Sequence, residues 1–207
     1  RMILAGDADG ILADVLVIAA GLSIQDPRVR PPEQQGPADA AHEKFADENS
    51  DFITLINLWD FYHDQMHKLS RSKLARACQQ NFLSPTRMRE WLDVYRQLRT
   101  LCEEAGLRIG RRGAKPDAIH QALLTGLLAN VAMRGEGHAY QVAGGGEAFI
   151  WPGSVLFENK PRWIMAAELV ETTRHFARTV APIHPNWIEP IAGHLLSRTY
   201  SEPFFNA

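Results

Sequence analysis

His63 and His67 stand four residues apart in the run HDQMH, a spacing at which two imidazoles on one helix face can share a metal ion, with Asp60 one turn earlier. Zinc hydrolases with this pattern need a glutamate after the first histidine as general base, and a third ligand downstream. The residue here is Asp64, one methylene shorter, so these side chains are expected to be the polar surface of an amphipathic helix and no metal site is assigned. Gly144, Gly145 and Gly146 would suit a phosphate cradle only if a Lys-Ser/Thr pair and a helix followed. Neither does, and a hairpin turn is expected. No GxSxG elbow and no GxxxxGK(S/T) loop is present, so no catalytic residue is assigned and the chain is not expected to hydrolyse ATP by itself.

Basic residues interleaved with aromatics remain. Arginines cluster near Ser84, while Phe149, Trp151, Phe157 and Trp163 fall in short strand-like segments. Together they would supply phosphate contacts and stacking faces for a single nucleic-acid strand, although aromatics on short strands also serve as core. The net charge of -2 hides an uneven distribution. Residues 1–67 hold 4 Lys/Arg against 12 Asp/Glu, residues 68–115 hold 12 against 4, and residues 116–207 hold 6 against 8. A polyanion would be drawn to the middle segment, because Lys and Arg that meet phosphates release condensed counterions. Solvated helix faces are the plainer reading of such a run.

These side chains must be positioned by two kinds of element. Ile11 to Ile24 is apolar nearly all round and reads as a buried helix, ended by Pro27 and a proline-rich loop to about Pro37. A short helix follows from Ala38 to Ala46. Phe52 to Lys68 comes next, with Ser50 or Asp51 as N-cap and a stripe of Phe52, Leu55, Ile56, Trp59 and Tyr62, and then Arg71 to Gln80. Ser84 and Pro85 open a long helix in which Met88, Trp91, Leu92, Tyr95, Leu98 and Leu101 recur at helical spacing until Gly106; Arg87, Arg89, Arg96 and Arg99 are assigned to its other face. A basic loop, Arg108 to Lys115, leads to a helix from Ala118 to about Val131. After Gly135 the pattern becomes short β-rich segments: His138 to Ala143, Glu147 to Trp151, Trp163 to Thr172 and His175 to Pro182. Pro185 to Leu196 reads as a terminal helix, bent at Pro190.

At 207 residues with 45% hydrophobic composition the chain can bury a core. No apolar run reaches the roughly 18 residues that span a bilayer, so a cytoplasmic location without membrane contact is expected. Cys78 and Cys102 lie on separate predicted helices without metal spacing and are expected to be reduced and structural.

VLVIAAGLSIQDPRVRP (15–31) with AHEKFADENSDFITLINLWDFY (41–62) resembles the helicase-associated, or ratchet, region of DEAH-box RNA helicases, and NFLSPTRMREWLDVYRQL (81–98) resembles its long helix. IHQALLTGLLANVA (119–132), IWPGSVLF (150–157), PRWIMAAELVETTRHFARTVAPIHPNWI (161–188) and YSEP (200–203) are similar to the oligonucleotide-binding (OB-like) domain of that family. The SIQDPR and AELVETTR wording is closest to the bacterial HrpA-type subgroup. The resemblance implies an α+β fold: a helical bundle over 1–115, then an OB-like domain over 116–207 with a linking helix at 116–131, barrel strands within 138–182 and a terminal helix at 185–196. It also implies a piece of a longer monomeric helicase, with RMILAG just after a winged helix and with the RecA-like ATPase domains, ATP and magnesium outside it.

Carried over by position, the resemblance assigns single-stranded RNA contacts to Ser84, Arg87, Arg89 and Arg96 at the start of the long helix, where a helix amino terminus and guanidinium groups meet phosphates. It assigns Pro152, Gly153 and Ser154 to an RNA-facing loop in which Trp151 replaces the usual histidine, and Thr172, Thr173, Arg174 and Arg178 to a backbone-tracking groove. The alternative is a protein-docking module that uses the acidic first third.

Overall fold

A computed structural model describes residues 1–193. Seven helices precede a five-stranded barrel: α1 (Met2–Ala8), α2 (Leu12–Leu22), α3 (Gln35–Glu43), α4 (Asp51–Lys68), α5 (Arg71–Gln80), α6 (Pro85–Glu104) and α7 (Pro116–Leu127). The strands are β1 (Val131–Arg134), β2 (Tyr140–Val142), β3 (Glu147–Ile150), β4 (Trp163–Glu171) and β5 (His175–Pro182), followed by α8 (Ile188–Ala192). The α+β class is as expected. The barrel closes in the order β1-β2-β3-β5-β4, antiparallel except for the β3–β5 pair.

α2 is the bundle's central helix. Leu12, Val15, Leu16, Val17 and Ile18 are fully buried, and Gly21 lets the Trp91 indole lie against its backbone, where a Cβ would come within 2.7 Å of the ring. Trp91 Nε1 then donates to Val17 O at 2.9 Å. Buried Asp14 accepts from Arg112 Nε and from the amides of Gly113 and Ala114, while Arg112 also pairs with Asp60. The expected α4 stripe is buried throughout; on α6 the expected stripe ends early, because Leu101 is 59% exposed.

Several boundaries differ from the sequence reading. α2 is shorter than Ile11 to Ile24. α3 begins at Gln35, not Ala38, because Pro37 sits in its first turn, where no backbone donor is needed. α7 ends at Leu127 rather than Val131, and β1 at Val131–Arg134 was not anticipated, so the barrel begins before residue 138. VAMR follows an apolar helix with only one 3-10 turn between, and Val131 and Ala132 are both buried: Val131 joins the bundle core, Ala132 the barrel interior. Alternation, the usual mark of a strand, is thereby erased. The described part of the terminal segment is a 3-10 turn at Pro185–Trp187 followed by α8, with Pro190 in its first turn; residues 194–196 and the YSEP stretch lie outside the described residues.

Tyr140, Ile150, Leu156, Ile164 and Val180 fill the barrel. Met165, Ala181 and Ile183 turn outward into the bundle core, so bundle and barrel share one apolar interface. The glycine run forms the β2–β3 turn, with Gly145 and Gly146 at positive φ. No helix among the described residues is long and apolar enough to cross a membrane.

Candidate nucleic-acid interface

Ser84 caps α6, its Oγ accepting from Arg87 N, and the preceding residues hold that end in place. Val29 N donates to Phe82 O and Ser84 N donates to Pro27 O, both at 2.8 Å, so the loop after α2 is zipped to the entry of α6. Within that loop Arg28 grips Asp26 through Nε and Nη2, and Arg87 Nη1 donates to Asp26 O at 2.9 Å. Burial pushes the Asp26 carboxyl up, but the hydrogen bonds and charge of Arg28 outweigh it, with a smaller contribution from Arg178, and hold the carboxyl below its ordinary value. Arg28 is desolvated too, and the carboxylates of Asp26 and Asp51 keep it firmly charged.

Asp51 brings the barrel to this face. At the first position of α4, its carboxylate accepts from Ser154 Oγ at 2.6 Å, Val155 N at 3.0 Å and Val180 N at 2.8 Å. The PGS loop and β5 are therefore tied to the bundle. On the barrel surface Trp151 meets Phe176 edge to face at 5.2 Å, and the Arg178 guanidinium lies 5.1 Å from the Trp151 ring centre. Gly153 permits this packing, since a Cβ there would come within 2.9 Å of Trp151 Nε1. Arg174 sits over Phe149 at 5.0 Å, continuing the pattern of guanidinium on ring toward the β4–β5 turn.

The assigned residues divide into four groups. Ser84, Arg87, Pro152, Gly153 and Arg178 border one face: Arg87 bonds to the backbone carbonyl of Asp26, and Arg178 from the barrel lies near enough to help lower the Asp26 carboxyl. Thr172, Thr173 and Arg174 form the β4–β5 tip, four residues along β5 from Arg178 and so about 13 Å away. Ser154 is committed inward: its proton goes to Asp51 and its oxygen accepts from Leu156 N, which leaves no donor for a phosphate. Arg89 and Arg96 lie on the other side of α6. At about 100° per residue they fall roughly 180–200° around the helix from Arg87, and they border a groove with α4 and α5. The expectation that Arg87, Arg89 and Arg96 share one face is therefore corrected.

Asp26, Arg28, Asp51 and Phe176 were not singled out for this site, although SIQDPR, which contains Asp26 and Arg28, carried part of the resemblance. Of the acidic residues in the first third, Asp14, Asp26, Asp51 and Asp60 hold internal partners, whereas Asp9, Glu33, Glu43, Glu48 and Asp64 are exposed. His63 stacks on Trp59 and meets His67 edge-on at 4.6 Å, while Asp60 pairs with Arg112; among the described residues no group of three His, Cys, Asp or Glu gathers to hold a metal.

Comparison with known proteins agrees with this architecture. Residues 1–55 match the family model for the helicase associated domain (HA2), ratchet-like, and residues 119–195 match that for the oligonucleotide/oligosaccharide-binding (OB)-fold. The chain is 42% identical over all 207 residues to the ATP-dependent RNA helicase HrpA homolog of Haemophilus influenzae, of which it covers 16%. It is 43% identical over 204 residues, 98% of its length, to the ATP-dependent RNA helicase HrpA of Escherichia coli, again covering 16% of it. To the human probable ATP-dependent RNA helicase DHX35 it is 29% identical over 198 residues, 94% of this chain and 27% of that protein. The chain thus spans about one sixth of the length of the HrpA relatives. Two family models in chain order, joined by identity above 40% from end to end, place it in one family: the chain is a ratchet-like helicase-associated region joined to an OB fold, of the HrpA type.

Proposed function

We propose that the chain binds single-stranded RNA across the junction of bundle and barrel, with little sequence preference. The observation that carries this reading is that Arg87 from α6, bonded to Asp26 O, and Arg178 from β5, packed on the partly exposed Trp151 ring, flank the junction that Asp51 ties together. A strand laid there would meet guanidinium groups for its phosphates and an indole on which a base stacks. A guanidinium on a phosphate and an indole on a base face leave the base edges unread, so affinity would come from the backbone and from stacking. In a longer protein of the HrpA type, this face would form one wall of an RNA channel. RecA-like and winged-helix domains would complete the enclosure, ATP and magnesium would act on the RecA-like domains, and the bundle and barrel would move as one clamp during 3′-to-5′ stepping.

Fluorescence anisotropy with a labelled oligouridylate tests the proposal. Binding should weaken steeply as salt rises, and Arg87→Ala with Arg178→Ala should weaken it at least tenfold at low salt. Failure to bind at low salt, or binding indifferent to both substitutions, would overturn the assignment.

A further inference from the structure

A second surface faces away from that junction. Between the end of α4, α5 and α6 runs a groove with a cavity volume of about 360 Å³. Its floor is apolar: Tyr62 and Leu92 are buried, and Met66 and Leu74 are partly so. Arg71, Arg89 and Arg96 stand exposed on its rim. Arg96 is 3.8 Å from Asp93, whereas Arg71 and Arg89 have no ion pair among the described residues, so the rim keeps a positive excess. Arg89 and Arg96 are seven residues apart on α6, hence on nearly the same line and about 10 Å apart along the axis.

We infer that this groove docks an acidic amphipathic helix of a partner protein, with carboxylates on the Arg89 and Arg96 rim and apolar side chains on the Met66 and Leu74 floor. The charge arrangement selects the occupant. Carboxylates two helical turns apart match the spacing of Arg89 and Arg96, and leucines between them lie over the apolar floor, the usual logic of a helix seated in a groove. The cavity admits a few side chains but not a whole helix, so the partner would lie across the rim. Single-stranded RNA fits less well: the aromatic ring in the floor, Tyr62, is 5% exposed and offers no open stacking face. Nor is the groove a reactive site, since burial pushes the Cys78 thiol in its lining up to about 11 and keeps it protonated at neutral pH.

The probe is a labelled alanine-based helical peptide bearing glutamates at i and i+7 and leucines at i+3 and i+4. Two control peptides replace the glutamates by lysine or the leucines by alanine. Saturable binding of the probe is expected, at least tenfold weaker for each control and at least tenfold weaker to the R89E/R96E chain. Both arginines are exposed, so the variant should keep its circular dichroism and its oligouridylate affinity within about threefold. No saturable binding, equal binding by the variant, or equal binding of the leucine-free control would overturn the inference. Loss of oligouridylate binding in R89E/R96E as large as in the Arg87 and Arg178 variant would instead give the groove to nucleic acid.

Discussion

Asp51 Oδ2 accepts the Ser154 hydroxyl proton at 2.6 Å across 103 residues of sequence, and the same carboxylate takes the amides of Val155 and Val180. One side chain at the start of α4 thereby fixes both the PGS loop and β5. The position of Arg178 relative to Arg87 depends in part on this tie, which adds polar contacts to the apolar interface that bundle and barrel share.

Replacement of Asp51 by alanine should strand two amides and a hydroxyl in a buried setting. Unmet buried donors cost about 1–3 kcal/mol each, and with some relaxation a loss of roughly 3–5 kcal/mol is expected. Asp51→Asn keeps one acceptor oxygen and should lose less. Urea unfolding measures both; a midpoint for Asp51→Ala equal to that of the parent chain would show that the tie is not structural.

Arg112 provides a contrast between internal and surface charge pairs. It pairs with Asp14, which is 2% exposed, whereas Arg99 and Glu103 pair at 2.9 Å with both partners more than half exposed. Without Arg112 the buried Asp14 carboxylate loses its counter-charge and keeps only the amides of Gly113 and Ala114, a loss of about 2–3 kcal/mol, whereas an exposed pair contributes less than about 1. Arg112→Ala should therefore lower the melting temperature by many degrees and Arg99→Ala by hardly any. Similar shifts for the two would contradict the assigned burial.

His120 makes stability depend on pH. Burial pulls its imidazole down from 6.5 to about 4, only partly opposed by Asp117 and Asp47, and its Nε2 lies 2.8 Å from Ser50 Oγ, the cap of α4. Between those pH values the unfolded chain binds a proton that the folded chain does not, so stability rises with pH there. It should fall as pH drops from about 6.5 to 4, by up to about 3 kcal/mol. His63 adds a smaller change of the same sign, being lowered by partial burial and by His67. Asp26, held below its ordinary value, acts in the acid range: its stabilisation persists above the unfolded carboxyl value and is lost as pH falls through the folded one. His120→Gln keeps a partner for Ser50 and should flatten the curve between pH 6 and 4.5. An unchanged slope would assign the pH dependence elsewhere.

Helix order, the α4 stripe, the Ser84 cap and the glycine hairpin were legible because each is a local signal, carried by residues within one or two turns. Asp51 was legible only as a possible cap, since nothing near it in the chain hints at Val180. Strand β1 escaped because Val131 and Ala132 are buried on opposite sides, in two different cores. The α6 arginines were placed together by residue type, although a helical turn of about 100° per residue already separates Arg87 from Arg89 and Arg96. Tertiary partners, not propensity, decided the roles of Asp51 and β1, whereas the arginines needed only the helical period.

Trp151 and the arginines should separate by their salt response. Arginines that neutralise phosphates release counterions, so the slope of log affinity against log salt falls by about 0.7 for each phosphate of a single strand left without its arginine. Arg87→Ala and Arg178→Ala together should reduce that slope by about 1.4 while weakening binding at low salt. Trp151→Ala removes a ring that carries no charge, worth about 1–3 kcal/mol per stacked base; it should weaken oligouridylate binding at every salt concentration and leave the slope intact. Arg178 also rests on Trp151 and lies 3.7 Å from Glu168, so removing the indole lets the guanidinium lean toward that carboxylate. A partial loss of slope in Trp151→Ala would then trace to Arg178, and Glu168→Gln in the same background should restore it. If slope and affinity fall in proportion in all variants even with Glu168→Gln, Trp151 acts only as a support for Arg178 and no base stacks on it.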